Sequence, residues 1–405
     1  MKKVALLGAF DRFNYGDLLF PIILEKYLKE NLKIQCEFEY YGLIQSDLTS
    51  LGGKKTNAID ELYLNNAFKK DDCLILVGGE MLGATWYQMI LCLIESKFLS
   101  FSYKVAKKLT SEKRVSNFLQ KKMNVPNSLP WVINPENFDA PVKVMYNAVG
   151  GSSIPALHNS EKHYLSQAME RAKYISVRDK ISKDNLENAS VNKRKIKEFP
   201  DSAIIMSDMF QKEQLPTKFN KEALNWLNKN KPYLVFQVNN DIGKNKVNLI
   251  GKQLLDIHNK TGFEIVLLPI GTAANHEDHI PLKKIYDYLG RPSFVFLPQK
   301  ENIYEIMGLI AYSQIYIGTS LHGAITALSY NVPHLAFTDT ITKLIEFIKT
   351  WEPEEGLIYT NVNDMSNNIM EKVKTFNTGK SKRYTFTLKK LAYENLESMR
   401  RCIEG

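Results

Sequence analysis

The sequence predicts an α/β protein built from two Rossmann-like, doubly wound domains that face a central cleft. Three observations predict it. Short β-branched apolar runs alternate with amphipathic segments along most of the chain. The alternation comes in two consecutive blocks, parted by a polar stretch at residues 211–220. The 405 residues are enough for two domains, each with a sizeable core. Apolar residues make up 44% and charged residues 24%, the balance of an ordinary soluble globular protein. The formal net charge is +9, from 53 Lys and Arg against 44 Asp and Glu. Such an excess favours anionic partners, whether phosphorylated small molecules, nucleic acid or an anionic membrane face, without choosing among them.

In the first block, residues 4–10 read as a strand and residues 18–30 as the helix that follows it. The apolar run at the start is only about five residues long and leads into Asp11-Arg12, so it suits a first strand better than a secretory signal. Residues 35–41, 73–77, 144–149, 174–177 and 203–206 are the next strands, each short and bounded by Gly, Asp or Pro as buried parallel strands are. In the second block the strands are 233–238, 263–270, 294–297, 315–317 and 334–337, with helices at 246–261 and Ile303–Ala311 between them. The boundary falls near residues 208–230, giving domains of 1–215 and 216–405. A basic insertion near 95–140 interrupts the first domain. The last helices, about 365–405, carry nine Lys or Arg against three Glu between Glu371 and Arg401 and are expected to pack back across the first domain.

Four cysteines, Cys36, Cys73, Cys92 and Cys402, form no CxxC pair, and three of them sit in apolar runs. Free thiols in a reducing compartment fit them better than disulfides or zinc. No run approaches the ~20 apolar residues that span a bilayer. A cytoplasmic protein is expected. Residues 97–123 hold eight Lys or Arg and the single acid Glu112, with Phe98, Phe101, Val105, Leu109, Phe118 and Leu119 at roughly helical intervals. Such a stretch can lie on an anionic membrane surface or dock an anionic partner. A solvated basic face on an inserted helix pair is the plainer and favoured reading. Nucleic acid is disfavoured as a partner, because no stacking aromatics are interleaved with the charge along one groove-sized element.

Chemistry is expected at the carboxyl ends of the strands, where open α/β sheets bind ligands. The first junction, Gly8 to Asp17, is not GxGxxG, so it carries no dinucleotide fingerprint. Asn14 and Asp17 flank Gly16, which lets backbone approach a ligand, although either polar residue also suits a helix cap. Gly78-Gly79 ends the strand at 73–77 and suits close approach to a phosphate or carboxylate; a tight turn explains it almost as well. Asn147 to Ser153 is a third strand end of this kind. Arg178 follows a buried strand, so it either pairs with Asp179 or Asp201 or faces an anion. His276, Glu277, Asp278 and His279 lack HExxH spacing and read as an exposed polar loop rimming the cleft. Finally, Gly318-Thr319-Ser320-Leu321-His322-Gly323 joins a strand to a helix. It offers an anion unpaired N–H groups beside an imidazole, or else it is an ordinary corner with a satisfied histidine.

Taken in order, Asn14-Tyr15-Gly16-Asp17, Gly78-Gly79, Ser176-Val177-Arg178-Asp179, Pro200-Asp201-Ser202-Ala203 and Ser320-Leu321-His322-Gly323-Ala324-Ile325 with Pro333 resemble the polysaccharide pyruvyl transferases. No motif is specific alone; their order over residues 4–340 is. The resemblance implies a GT-B-like fold and transfer of pyruvate from phosphoenolpyruvate, as donor substrate without further cofactor or metal, to a sugar as a cyclic ketal. It implies ligand contacts at Arg178 and His322, with Asn14, Asp17 and Ser320 nearby. Under that chemistry Arg178 is expected to clamp an anion, and His322 to hold phosphate or act as general acid. Asp17 or Asp201 would accept a hydroxyl proton. Gly16, Gly78, Gly79, Leu321 and Gly323 complete the expected binding set. Two departures stand out. Ser320 occupies the place of an Arg common in the family, and Glu80 that of a third Gly, so Arg178, Arg12 or Lys244 would have to supply the missing cation. The acceptor is expected to be a sugar or lipid-linked oligosaccharide of a surface polysaccharide, met at the inner membrane leaflet through residues 97–123. The rival reading is a GT-B glycosyltransferase with a nucleotide-sugar donor.

Overall fold

The computed structural model describes residues 1–94, 96–274, 276–299, 301–337, 342–352 and 358–405. The run Lys-Lys-Val-Ala-Leu-Leu forms β1 (Lys2–Leu7), whose last four residues are fully buried. A strand covered on both faces reads as such a continuous apolar run. The first sheet continues through β2 (Cys36–Gly42), β3 (Ser46–Asp47), β4 (Lys55–Ala58), β5 (Cys73–Leu76), β6 (Gly79–Glu80), β7 (Lys143–Gly150), β8 (Tyr174–Val177) and β9 (Ile196–Glu198). Its order is β3-β4-β2-β1-β5-β7-β8-β9, with β6 beside β7, and every pairing is parallel except β3 with β4. The second sheet holds β10 (Tyr233–Phe236), β11 (Glu264–Leu267), β12 (Val295–Phe296), β13 (Ile315–Gly318), β14 (His334–Phe337) and β15 (Tyr359–Thr360). Its order is β12-β11-β10-β13-β14-β15, parallel throughout. In each sheet the order reverses at the first strand, β1 or β10, which opens a crevice at the carboxyl ends.

The two sheets share a core. One apolar cluster joins Leu6, Tyr15 and Phe20 of the first domain to Tyr316, Leu321 and Ile325 of the second, and to Leu396 and Ile403 of the last helix. The outer face of each sheet has its own cluster besides. The backbone also bridges the halves. Tyr15 N–H donates to Ile270 O at 3.0 Å, and Asn14 and Gly271 form an isolated antiparallel bridge.

The last helix, Thr378–Glu404, lies along the first domain. Its buried Asn395 donates to Asn147 Oδ1 at 2.8 Å and accepts from Tyr174 OH at 2.7 Å. Helix Met365–Thr375 stays with the second domain, where Ser366 Oγ donates to Asp256 at 2.6 Å.

Two readings of local structure need correction. Residues 203–206 are not a strand: Asp201 caps a 3₁₀ turn, Ser202–Ile205, that runs into the short helix Met206–Met209. A short, wholly buried apolar run does not distinguish strand from helix, and the cap decides. The loop at 276–279 is not simply exposed, because Asp278 is 4% accessible and tied into the second domain. Asn275, just before it, lies outside the described residues.

The basic insertion is a helix pair, Lys97–Leu109 and Glu112–Lys122, started by Ser96 and by Ser111 accepting from Arg114 N–H at 3.2 Å. Its inner face seats Val115 and Leu119 against the helix Trp86–Leu91, where Ser116 Oγ accepts from Tyr87 N–H at 3.2 Å. Its outer face leaves Phe98 82%, Phe101 64%, Leu109 79% and Phe118 60% exposed. All four cysteines are free thiols, with Cys73 buried and the others half-buried. Among the described residues no helix is long and apolar enough to cross a membrane.

Candidate active site

The chain leaving β1 turns through Gly8 to Asn14 into the helix Tyr15–Asn31. Asn14 caps that helix, accepting from Gly16 N–H at 3.2 Å, and its Nδ2 lies 3.5 Å from His276 Nε2. Asp17 sits in the first turn, where a carboxylate complements the helix dipole. Gly16 lies directly beneath the His322 ring: a Cβ there would come within 1.8 Å of His322 Nδ1. Arg12 is almost buried, with Nη1 3.1 Å from Asp11 Oδ1 and Nη2 3.6 Å from Met89 Sδ.

Beyond β5, Gly78 and Gly79 take φ values of +129° and +100°, which side chains rarely adopt. Gly78 turns the chain against Phe20, and Gly79 reaches the cleft beside Asp17. Glu80 follows and is firmly held. Its Oε1 accepts from Ser152 N–H at 2.7 Å and from Ser152 Oγ at 2.9 Å, while Oε2 accepts from Arg178 Nη2 at 2.8 Å. Gly150 makes this pair possible, since a Cβ there would lie 2.4 Å from Glu80 Oε2 and 2.7 Å from Arg178 Nη2.

Arg178 follows β8 and is only 1% exposed. Besides Glu80, it faces Asp179 Oδ2 from Nε at 3.6 Å and Asp201 Oδ2 from Nη1 at 3.6 Å. Burial acts to lower its pKa, yet the three carboxylates outweigh burial and raise it, so the guanidinium stays charged. Asp179 caps the helix Lys180–Asn188 through Ser182 N–H at 2.9 Å, and burial pushes its carboxyl up against the pull of Arg178.

In the second domain, β13 ends at Gly318 and the helix Leu321–Ser329 begins. Three of the N–H groups there already have partners. Gln237 Oε1 accepts from Thr319 N–H and Ser320 N–H, each at 2.9 Å, and Ser320 Oγ accepts from Gly323 N–H at 3.3 Å. Gln237 in turn donates to Asp278 Oδ2 at 2.9 Å, and the same oxygen takes Ile270 N–H at 3.1 Å and Gly271 N–H at 3.0 Å. Burial pushes the Asp278 carboxyl up to about 7 despite these bonds.

His322, 8% exposed, stands edge-on to Phe20 with ring centroids 5.2 Å apart. Its Nε2 lies 3.6 Å from Asp201 Oδ2, longer than a hydrogen bond, and has no hydrogen-bond partner among the described residues. Asp201 is fully buried. Burial alone would raise its pKa, but His322, Arg178 and the Ala203 N–H overcome that and hold it below the ordinary carboxylate value.

These groups meet at an interdomain cavity of about 200 Å³. Asn14, Asp17, Gly79, Arg178 and His322, all expected from sequence, line it together with Arg12, Glu80, His276 and Lys343. Other expected residues stand back from its lining. Asp201 lies behind His322 and has no exposed surface. Ser320 is a helix cap, Leu321 belongs to the shared core, and a Cβ at Gly323 or Gly78 would strike Tyr316 OH at 2.1 Å or Phe20 at 2.7 Å. Asp201, Ser320, Leu321, Gly323 and Gly78 are not among the residues that line the cavity. Lys244 pairs with Asp241 at 3.0 Å away from the cavity. Sequence reasoning passed over Gln237 and Lys343, neither of which belongs to a motif.

Burial, Lys343 and Arg12 lower His276 to about 4, so it is neutral at neutral pH. A second cavity of about 530 Å³ opens beyond Phe13, between the first junction and the ends of β11 and β12, with Leu51, Lys283, Pro298, Gln299 and Glu301 in its lining.

A family model described as polysaccharide pyruvyl transferase matches residues 14–339. Among curated proteins, none matches the sequence. Among solved structures, the fold is similar to UDP-GlcNAc 2-epimerase from Neisseria meningitidis bound to UDP-GlcNAc, with TM-score 0.56 and 14% identity over 99% of this chain and 100% of that one. It is also similar to UDP-GlcNAc 2-epimerase from Methanocaldococcus jannaschii, with TM-score 0.56 and 14% identity over 97% and 100%. A third is Anabaena Alr3699/HepE in complex with UDP-glucose, with TM-score 0.51 and 10% identity over 98% and 100%. At these identities the likeness shows the fold alone, a GT-B arrangement of two Rossmann-like domains.

Proposed function

The chain belongs to the polysaccharide pyruvyl transferase family, and from that premise we propose that it transfers pyruvate from phosphoenolpyruvate to two hydroxyls of a sugar. In this reading a proton is added to the donor's terminal CH₂, and the electron-poor C2 is attacked by one sugar hydroxyl. Phosphate leaves with the C2–O bond electrons, and the second hydroxyl closes the ketal. Each hydroxyl gives up its proton, so the balance is one donor and one diol to one ketal and one phosphate.

The observation that carries the reading is the placement of His322 and Asp17 on one small interdomain cavity, with the ionised Asp201 behind the imidazole. His322 is the proton donor to the CH₂. Asp201 keeps the ring oriented and stabilises its protonated form, and Asp17 takes a hydroxyl proton. Arg178, held by three carboxylates, fixes the positions of Glu80 and Asp201 rather than gripping the donor. The cavity beyond Phe13 has room and a mixed apolar and polar lining for the acceptor glycan. Its lipid-linked character is supported by the exposed Phe98, Phe101, Leu109 and Phe118 on the basic helix pair, which packs on the same helix, Trp86–Leu91, that supplies Gln88 and Met89 to the cavity wall.

The test is incubation with phosphoenolpyruvate and a panel of lipid-linked glycans, read by phosphate release and product mass. A product heavier by one pyruvyl ketal, lost in His322→Ala while the fold persists, is expected. Undiminished turnover by that variant removes His322 from the chemistry. Gain of a whole sugar from a nucleotide sugar overturns the reading.

A further inference from the structure

A trianionic donor needs protein cations, and three border the cavity: Arg12, Arg178 and Lys343. Two are already matched. Arg178 Nη2 bonds Glu80 at 2.8 Å, and Asp179 and Asp201 stand 3.6 Å from its other nitrogens. An anion arriving at Nη2 would meet the Glu80 carboxylate already in place, and like charges in so buried a site repel strongly. Arg12 is matched by Asp11 at 3.1 Å.

Lys343 differs. It lies in the helix Thr342–Trp351, whose Leu344, Phe347 and Ile348 are buried in the shared core. The far end of that helix is pinned across the cleft by Trp351 Nε1, which donates to Arg178 O at 2.6 Å. Among the described residues the Lys343 ammonium has no ion pair or hydrogen bond, although Asp17, Glu80 and Asp278 influence it from farther off. Burial and the nearby Arg178 charge push its pKa down. A half-buried cation without a counter-ion is costly to hold, and that cost falls when an anion enters beside it.

We propose that Lys343 is the residue that binds the incoming phosphate or carboxylate in this chain, and that Glu80 withholds Arg178 from that role. The proposal rests on the reading of the cleft as the donor site. It accounts for both departures from the family pattern together. Ser320, in place of an Arg, is turned to helix capping, and Glu80, in place of a Gly, occupies Arg178. The missing positive charge arrives from another element.

The experiment is titration calorimetry of the full chain with inorganic phosphate and, separately, with phosphoenolpyruvate. Wild type, Lys343→Met, Lys343→Arg and Glu80→Gln are compared. Lys343→Met is expected to weaken both ligands tenfold or more, Lys343→Arg to retain most of the affinity, and Glu80→Gln to tighten binding several-fold. Wild-type affinity in Lys343→Met, or no binding of either ligand by wild type, overturns the Lys343 site. Unchanged or weaker binding in Glu80→Gln overturns the role given to Glu80. Phosphate binding that depends on Lys343, without binding of phosphoenolpyruvate, keeps this site and refutes the donor reading.

Discussion

Gly16→Ala places one methyl group where the structure has room for none. The new Cβ would lie 1.8 Å from His322 Nδ1, 2.2 Å from Cγ and 2.4 Å from Cε1. Carbon contacts relax only near 3.5 Å, so the ring must retreat by about 1.5 Å or swing out of plane. Phe20 and Asp201 hem it in from other sides. A misplacement of about 1 Å at a reacting group costs about a hundredfold in rate, so kcat/KM is expected to fall at least that far, about 2.7 kcal/mol.

Stability gives the sharper check. Gly16 is helical, and Ala is favoured over Gly in a helix by about 0.5–1 kcal/mol, whereas overpacking costs about 1–3 kcal/mol. The substitution should therefore destabilise the wild type and stabilise a His322→Ala background, a change of sign readable in urea unfolding. The assay pairs that cycle with phosphate release. Near-wild-type turnover by Gly16→Ala, or equal destabilisation in both backgrounds, refutes the reasoning.

Three further outcomes are expected. Asp278, pushed up to about 7 by burial, holds its proton in the folded chain while the unfolded chain releases it near the ordinary value of 3.8. Its contribution to stability is thus full below about pH 4 and is lost as pH rises through about 7, and Asp278→Asn should flatten that part of a urea-unfolding profile. Asn395→Leu leaves Asn147 Oδ1 and Tyr174 OH without their buried partner. It should lower unfolding free energy by about 2–4 kcal/mol, seen as a lower urea midpoint at unchanged m-value. Replacing Phe98, Phe101, Leu109 and Phe118 by Ser should abolish co-sedimentation with vesicles containing phosphatidylglycerol; equal retention of both proteins, or of neither, removes the membrane role from the helix pair.

Much of the fold was legible because buried parallel strands write themselves as continuous apolar runs. β8 and β14 fall at the expected residues, as does the helix Ile303–Ala311. Part of the cavity lining was legible because it comes from the stretches that follow strand ends, as Asn14, Asp17, Gly79, Arg178 and His322 do. It was illegible where charge compensation or long-range placement decides. Nothing local reveals that Gln237 satisfies the helix start at Thr319 and Ser320, or that Glu80 turns back onto Arg178. Lys343 reaches the cavity because its helix is docked through Leu344, Phe347, Ile348 and Trp351, and a lone lysine in an amphipathic segment reads as surface. Ala203 to Met206 misled for a simpler reason, since complete burial erases the periodicity that separates strand from helix.

The docking of Thr378–Glu404 on the first domain also sets an order of events during synthesis. Domains of a growing chain usually close as they emerge, amino-terminal first. Here Asn147, which also donates to Val77 O and to Ser202 Oγ next to Asp201, waits for Asn395, 248 positions later. Lys2 and Lys143 likewise donate to carbonyls of Ile403 and Cys402. While the ribosome still holds that helix, the first domain carries an open apolar flank and an unmet buried amide. Asn147, which donates to Ser202 beside Asp201, would gain its Asn395 partner only once that helix had docked. A nascent chain would therefore expose that flank to chaperones until residues 378–404 had emerged and docked.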